Sequence, residues 1–319
     1  MDNQKCDVIV VGGGGAGIKA AIEARKLGVE VILIQKGKLG ESGSTAYDVS
    51  ELAGYAAADG AGDSEDNPDI HYNDIMKASR GTADKKLVKI FVKESINSVK
   101  ELRDIGIEFA KYDNGEEIVA KGCFASKARN KKIKGHGHPI SKKLGEQASS
   151  LGVKVFEETI AIEIVISKGK CAGIIAMLPS GEKVFFNCTS TILATGGAGQ
   201  LFEWNLTPYD ITGDGYAMGF RAGAVLSNLE FMQAGFGTVE PFYSLISTWL
   251  WSTFPRLYNI YGEDILQKYL PSDISSESCM RDKARHFPFS STDNSKYLEI
   301  ATIIEYKKTN SCLRIFIYN

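Results

Sequence analysis

The sequence predicts an α/β fold in which a parallel sheet carries a three-stranded antiparallel meander, and three observations point to it. An apolar run at Val8–Val11 breaks into a G-x-G-x-x-G turn over residues 12–17. A helical stretch at 18–27 and a second apolar run at 29–34 then complete a strand–helix–strand unit. Between residues 153 and 193 the pattern shortens to a succession of strands at 153–156, 160–166, 171–178, 183–187 and 191–193. Turn signals at Lys168-Gly169-Lys170 and Pro179-Ser180-Gly181-Glu182 mark hairpins among them.

The glycine turn has the form of a dinucleotide site. Gly12 permits the tight turn, Gly14 lets the backbone approach a pyrophosphate, and Gly17 lets the following helix pack closely on the first strand. Gly13, Gly15 and Ala16 complete the segment, and the free N–H groups of the helix N-terminus are expected to face the phosphates. Ala20 and Ala21 are expected on the sheet-facing side of that helix. The residue about 20 positions beyond the glycines should meet the adenosine ribose. Here it is Gln35, which offers one acceptor and one donor where an acid would accept from both hydroxyls. A purely structural turn without a ligand is the alternative.

Composition fits an enzyme with a sizeable core and more than one domain: 319 residues, 44% hydrophobic, 24% charged, formal net charge −2. This balance gives no reason to expect a nucleic-acid partner. The six cysteines lack C-x-x-C spacing and are expected to be reduced thiols, with no zinc, iron–sulfur or haem site. No basic-then-apolar leader precedes the first strand, so a cytoplasmic location is expected. The apolar stretch 242–254 is too short and too rich in Ser and Thr to span a membrane.

Residues 36–47 form a small-residue, hydroxyl-bearing loop able to wrap a long cofactor, or an ordinary polar loop. A helix is expected over 84–104, capped by Thr82 or Asp84, with Leu87, Val88, Phe91, Ile96, Val99 and Leu102 as its core stripe. His136 and His138 form an H-x-H pair. No cysteine or carboxylate cluster accompanies it, so no metal is expected, and a histidine facing flavin or substrate is the functional reading. Upstream, Lys127, Arg129, Lys131, Lys132 and Lys134 read as a solvated loop or as an attractor for an anionic substrate.

A meander between parallel strands is unusual for a nicotinamide dehydrogenase and usual for FAD-binding folds of the glutathione reductase type. Residues 194–233, ATGGAGQLFEWNLTPYDITGDGYAMGFRAGAVLSNLEFMQ, then resemble the flavoprotein subunit family of fumarate reductase and succinate dehydrogenase, which includes L-aspartate oxidase. The A-T-G-G-A-G, T-G-D-G and R-A-G-A-x-L-x-N-x-E-F-x-Q elements follow in order. Residues 259–271, NIYGEDILQKYLP, resemble the start of the family's cap. The resemblance implies a glutathione-reductase-type FAD-binding domain over residues 1–239, with a helical connection at 69–109. The beginning of an α+β capping domain follows at 240–319.

For the cofactor the resemblance implies FAD, held by residues 12–17 and Gln35. Lys36, Ser42, Gly43, Ser44 and Thr45 line the path to the flavin, and Thr195, Gly196, Gly197 and Asp214 make further contacts. The alternative for Asp214 is an N-cap for a helix at 216–222. Some members attach FAD through a histidine where Ser44 stands here, so noncovalent FAD is expected.

The implied chemistry is hydride transfer between flavin N5 and a small, anionic organic substrate. Two family features are missing. Gln233 is followed by Ala234, Gly235 and Phe236 where a histidine helps bind a carboxylate. Thr292 precedes Asp293 where an arginine donates a proton. Arg281, Arg285 and His286 are the substitutes in reach, against the alternative of a solvated basic turn. Residues 311–319 match nothing in the family. The expectation is a truncated or frameshifted product or one piece of a split enzyme, with a complementing chain or an electron-transfer partner. A noncatalytic FAD-binding fragment is the main alternative, and an NAD-dependent dehydrogenase is a further one.

Overall fold

The computed structural model describes residues 3–47, 54–240 and 242–316, so the last three residues of 311–319 lie outside it. The chain forms two compact units, residues 1–120 with 127–228, and residues 121–126 with 229–319. The division falls between Asn228 and Leu229, ahead of the expected boundary after residue 239.

The first unit opens with β1 (Asn3–Lys5) and β2 (Val8–Val11), turns into α1 (Gly15–Lys26) and returns as β3 (Val31–Ile34). β4 (Tyr55–Ala56), α2 (Pro68–Ala78), α3 (Lys85–Asp104), β5 (Val119–Ala120) and β6 (Asn130–Lys131) make up the connection. Next, α4 (His138–Ser150) leads to β7 (Lys154–Phe156), β8 (Ile160–Ser167), β9 (Lys170–Met177), β10 (Lys183–Asn187) and β11 (Ser190–Leu193). Then α5 (Asp214–Arg221) follows.

One sheet has the order β11-β2-β3-β7 and is parallel throughout. The other, β1-β10-β9-β8, is the antiparallel meander with β1 added parallel to β10. Strand β1 is too polar to be read from its side chains; it joins the edge through its backbone. All four residues of β3 are buried, as expected for a parallel strand covered on both faces. Strand alternation divides the core. Ile9, Val11, Ile32 and Ile34 pack with Ile174, Phe186 and Met218, whereas Val10, Val31 and Leu33 pack with Ile18 and Ile22 of α1 and Leu144 of α4.

Two helix faces differ from expectation. In α1 the buried residues are Gly17, Ile18, Ala21 and Ile22, and Ala20 is only half-buried. The close approach at Gly17 sets the line of contact, and Ala20 falls to one side of it. In α3, Asp84 caps the helix by accepting from the backbone N–H of Lys86 and Leu87. Its buried face is Val88, Val92, Ser95, Val99 and Leu102, whereas Leu87 and Phe91 are 66% and 54% exposed and Ile96 is half-buried. The apolar residues of this helix are numerous enough to draw two stripes, and packing selected the one through Val92.

The second unit holds β12 (Gly237–Thr238), β13 (Ser244–Leu245), α6 (Thr248–Trp251), β14 (Arg256–Tyr258) and α7 (Ile265–Tyr269). It continues with α8 (Ser276–Lys283), α9 (Ser295–Thr309) and β15 (Arg314–Phe316). Its core gathers Trp251, Leu257, Ile265, Cys279, Leu298 and Ala301. The segment that matched no family pattern supplies β15, antiparallel to β14. Among the described residues no helix is long and apolar enough to cross a membrane.

Candidate functional site

A cleft opens where β2, β3 and β11 end at their C-terminal sides, the position at which open α/β sheets bind ligands. The glycine turn forms its floor. Gly12 has φ +109°, and a Cβ there would lie 2.2 Å from the Ala194 carbonyl oxygen. Gly17 is equally constrained, since its Cβ would lie 1.8 Å from the Gly12 carbonyl oxygen; it packs α1 and does not line the cleft. Gly14 differs, because a Cβ there would meet only Thr45 Oγ1, at 3.9 Å. The chain itself leaves that position open. Gly13, Gly15 and Ala16 also line the cleft.

Gln35 follows β3 with its backbone anchored: its N–H donates to Phe156 and its carbonyl accepts from Thr159. Its side chain is 3% exposed, lines the cleft, and has neither Nε2 nor Oε1 hydrogen-bonded. An unpaired buried amide costs free energy unless a ligand completes it.

The loop after β3 folds over the turn. Thr45 Oγ1 accepts from the Gly15 N–H at 3.2 Å and so satisfies one free donor of the α1 N-terminus. Ser42, Gly43 and Ser44 line the same wall, and Ser42 Oγ donates to the Lys38 carbonyl at 2.9 Å. Thr195, Gly196 and Asp214 also line the cleft, and Gly197 does not. Asp214 is the first residue of α5, and Gly213, at φ +79°, occupies the cap position. The N-cap reading of Asp214 is therefore corrected: its carboxylate pairs with Lys36 and accepts from Thr212.

Sequence reasoning missed Thr159, Asp210, Ile211 and Met218, which also line the cleft. Asp210 and Ile211 stand just before the T-G-D-G element, the one signal available for them. Thr159 and Met218 carry no recognisable pattern.

Arg129 and Lys131 of the basic run are buried in ion pairs, which corrects the solvated-loop reading for these two, whereas Lys132 and Lys134 are exposed. Arg129, 3% exposed, forms a two-pronged pair with Asp66 at 2.9 and 2.8 Å and reaches Asp74 at 2.7 Å. Lys131 is fully buried, 3.0 Å from Asp59. Lys127 pairs with Asp63 and Glu65, and Lys134 with Glu108. His138 is the exposed first residue of α4, and His136 precedes the helix at φ +61°.

In the second unit, Arg281 lies exposed on α8, and Arg285, 71% exposed, pairs with Asp282 at 3.3 Å. His286 departs from a solvated turn. It is 2% exposed, with Nδ1 2.8 Å from the Pro288 carbonyl oxygen, Nε2 3.1 Å from Asp293, and its ring stacked on Phe124. Thr292 turns to Ser290 at 2.7 Å. Arg281 directly precedes Asp282, an Arg-Asp pair upstream of Thr292-Asp293 that the sequence reading passed over. Among the described residues no three or more His, Cys, Asp or Glu side chains gather as a metal site.

The sequence matches the FAD binding domain family over residues 7–241. It is 31% identical over 238 residues to a fumarate reductase (CoM/CoB) subunit of Methanothermobacter marburgensis, covering 72% of this chain and 42% of that protein. It is 30% identical over 283 residues to the succinate dehydrogenase flavoprotein subunit of Coxiella burnetii, covering 83% of this chain and 46% of that protein. Among solved structures, the Mycobacterium smegmatis Sdh1 complex in the apo form is similar with a TM-score of 0.70 at 28% identity. That match covers 76% of this chain and 43% of that chain. The chain thus spans less than half the length of these relatives.

Proposed function

We propose that this chain, which belongs to the FAD-binding flavoprotein family of the fumarate reductases, succinate dehydrogenases and L-aspartate oxidases, holds FAD noncovalently in the glycine-lined cleft. The observation that carries the reading is the Gln35 amide, buried in the cleft wall with both polar atoms unpaired beside an open approach at Gly14. A ribose hydroxyl pair satisfies one donor and one acceptor at once, and a pyrophosphate suits a backbone that no side chain covers.

In this reading the N–H groups of the turn bind the pyrophosphate and Gln35 orients the ribose. Asp214 accepts from a hydroxyl further along the cofactor. Ser44 offers no imidazole for a covalent link. Bound FAD supplies a ring that takes up or gives up a hydride. For the accompanying proton we assign Arg281, which stands directly before an aspartate as the family's proton-donating arginine does. The names of the relatives point to fumarate and succinate. Because Ala234 to Phe236 replace the expected carboxylate-binding histidine, the proposed substrate is a small organic anion other than fumarate. An electron-transfer partner or a complementing chain, and a cytoplasmic location, belong to the same proposal.

The test is the visible absorption spectrum of the desalted chain, followed by acid precipitation. A flavin spectrum whose chromophore stays in the acid supernatant is expected. A folded chain that binds neither FAD nor FMN overturns the assignment, and colour retained in the pellet overturns noncovalent attachment.

A further inference from the structure

The geometry points to Lys36 as a positioning residue: it orients Asp214 for the half of FAD beyond ADP and does not itself bind the pyrophosphate. The inference rests on the proposed FAD site. A lysine ammonium has three donors and no acceptor. In Lys36 they are directed at the Asp210 carbonyl, 3.2 Å away, the Thr212 hydroxyl and the Asp214 carboxylate. All three acceptors belong to residues 210–214, so the ammonium is committed to that segment.

The contacts close a triangle. Thr212 Oγ1 accepts from Lys36 and donates to Asp214 Oδ2 at 3.0 Å, and Lys36 donates to the same Oδ2. One hydroxyl can fill both roles, and each bond has a charged partner at one end or is polarised by one. Both contacts to the carboxylate fall on Oδ2, which leaves Oδ1 as the atom that accepts from a cofactor hydroxyl. Asp214 opens α5, where the helical backbone fixes its Cβ but leaves two side-chain torsions free, so the backbone does not by itself hold the carboxylate in line. Lys36, anchored at the end of β3 next to Gln35, does. It also balances a negative charge that would otherwise share the cleft with a pyrophosphate.

A phosphate ligand would be felt equally by ADP and FAD, whereas a group that positions Asp214 is felt by FAD alone. The test measures dissociation constants for FAD, by fluorescence quenching, and for ADP, by calorimetry. It compares the wild-type chain with Lys36→Met, Asp214→Asn and the double variant. Each single substitution is expected to weaken FAD about tenfold, the double variant by no more, and ADP to stay within about twofold throughout. Lys36→Arg, which keeps the charge, is expected to recover part of the FAD affinity. Equal losses for ADP and FAD in Lys36→Met overturn the inference, as do additive losses in the double variant. Thr212→Val removes one corner of the triangle and serves if Lys36→Met fails to fold; unchanged FAD affinity there overturns the inference. A wild-type chain that takes ADP but not FAD overturns the underlying reading of the cleft, and shows it without any variant.

Discussion

Gln35 and Gly13 share one space: a Cβ on residue 13 would stand 1.4 Å from Gln35 Oε1, so the amide can lie against the turn only because residue 13 has no side chain. The glycine turn is usually read for what it offers a phosphate. Here one of its glycines also admits the side chain proposed to read the ribose. The turn and the end of β3 are therefore one site, although residues 13 and 35 belong to separate elements.

If the Gln35 amide is kept for a ligand, removing it should separate stability from binding. Gln35→Leu is expected to leave the cofactor-free chain as stable as before or more stable by about 1–2 kcal/mol, because an unpaired buried amide is lost. FAD should bind on the order of tenfold more weakly. Urea unfolding paired with a flavin titration checks both; a marked loss of stability would identify Gln35 as structural instead.

Gly12 and Gly14 should fail in different ways. Gly12→Ala combines φ +109° with a 2.2 Å clash against the Ala194 carbonyl and is expected to cost at least about 3 kcal/mol. Gly14 has φ −75° at the N-cap of α1, and its Cβ would meet nothing nearer than 3.9 Å, so Gly14→Ala should cost no more than about 1 kcal/mol, the penalty of alanine at a cap, while flavin affinity falls. Thermal unfolding with and without FAD distinguishes the two.

Arg129→Met leaves Asp66, itself 6% exposed, without its two-pronged partner. Stripping one member from a buried pair costs about 3–5 kcal/mol. Lys132→Met, at an exposed position in the same run, should change stability by no more than about 0.5 kcal/mol. Comparable effects from the two substitutions, read by urea denaturation, would restore the solvated-loop description.

Burial, reinforced by the neighbouring Cys188, pushes the Cys6 thiol from 9.0 up to about 11. Burial and then the Asp282 charge do the same to Cys279, from 9.0 to about 11. Between these values the unfolded chain loses thiol protons that the native state keeps. The stabilisation from these two groups is thus complete below pH 9 and is lost as pH rises through 11. Cys6→Ala and Cys279→Ala should each flatten the alkaline fall of the unfolding free energy, measured from pH 8 to 11. At pH 8 a thiol reagent should modify the exposed Cys123 and Cys312 before the buried Cys6, Cys188 and Cys279.

The dinucleotide half was legible because its constraints are local. A buried strand, a turn that only glycine can make and a helix that must approach closely leave their marks at fixed spacing, as Val8–Val11 and Gly12 show. The meander was legible for the same reason, with hairpin turns at Lys168-Gly169 and near Gly181, where φ is positive. Strand β1 was not, since its pairing with β10 uses backbone groups that Asn3, Gln4 and Lys5 do not advertise.

Side-chain partnership was the part that only the tertiary structure decided. Closely spaced cations at Lys127, Arg129, Lys131, Lys132 and Lys134 suggested a solvated face, yet Arg129 meets Asp66 from 63 positions away and Lys131 meets Asp59. Asp214 resembled a cap until Lys36, from across the sheet, took its carboxylate. Leu87 and Phe91 fitted a helical stripe that packing turned outward. By itself the sequence determined the core parallel strands and the meander, the glycine turn and the class of ligand, because backbone conformation and periodicity are properties of neighbours along the chain. Which charge is neutralised, which amide is left unpaired and which helix face is buried depend on residues brought together only by folding, and no local spacing encodes them.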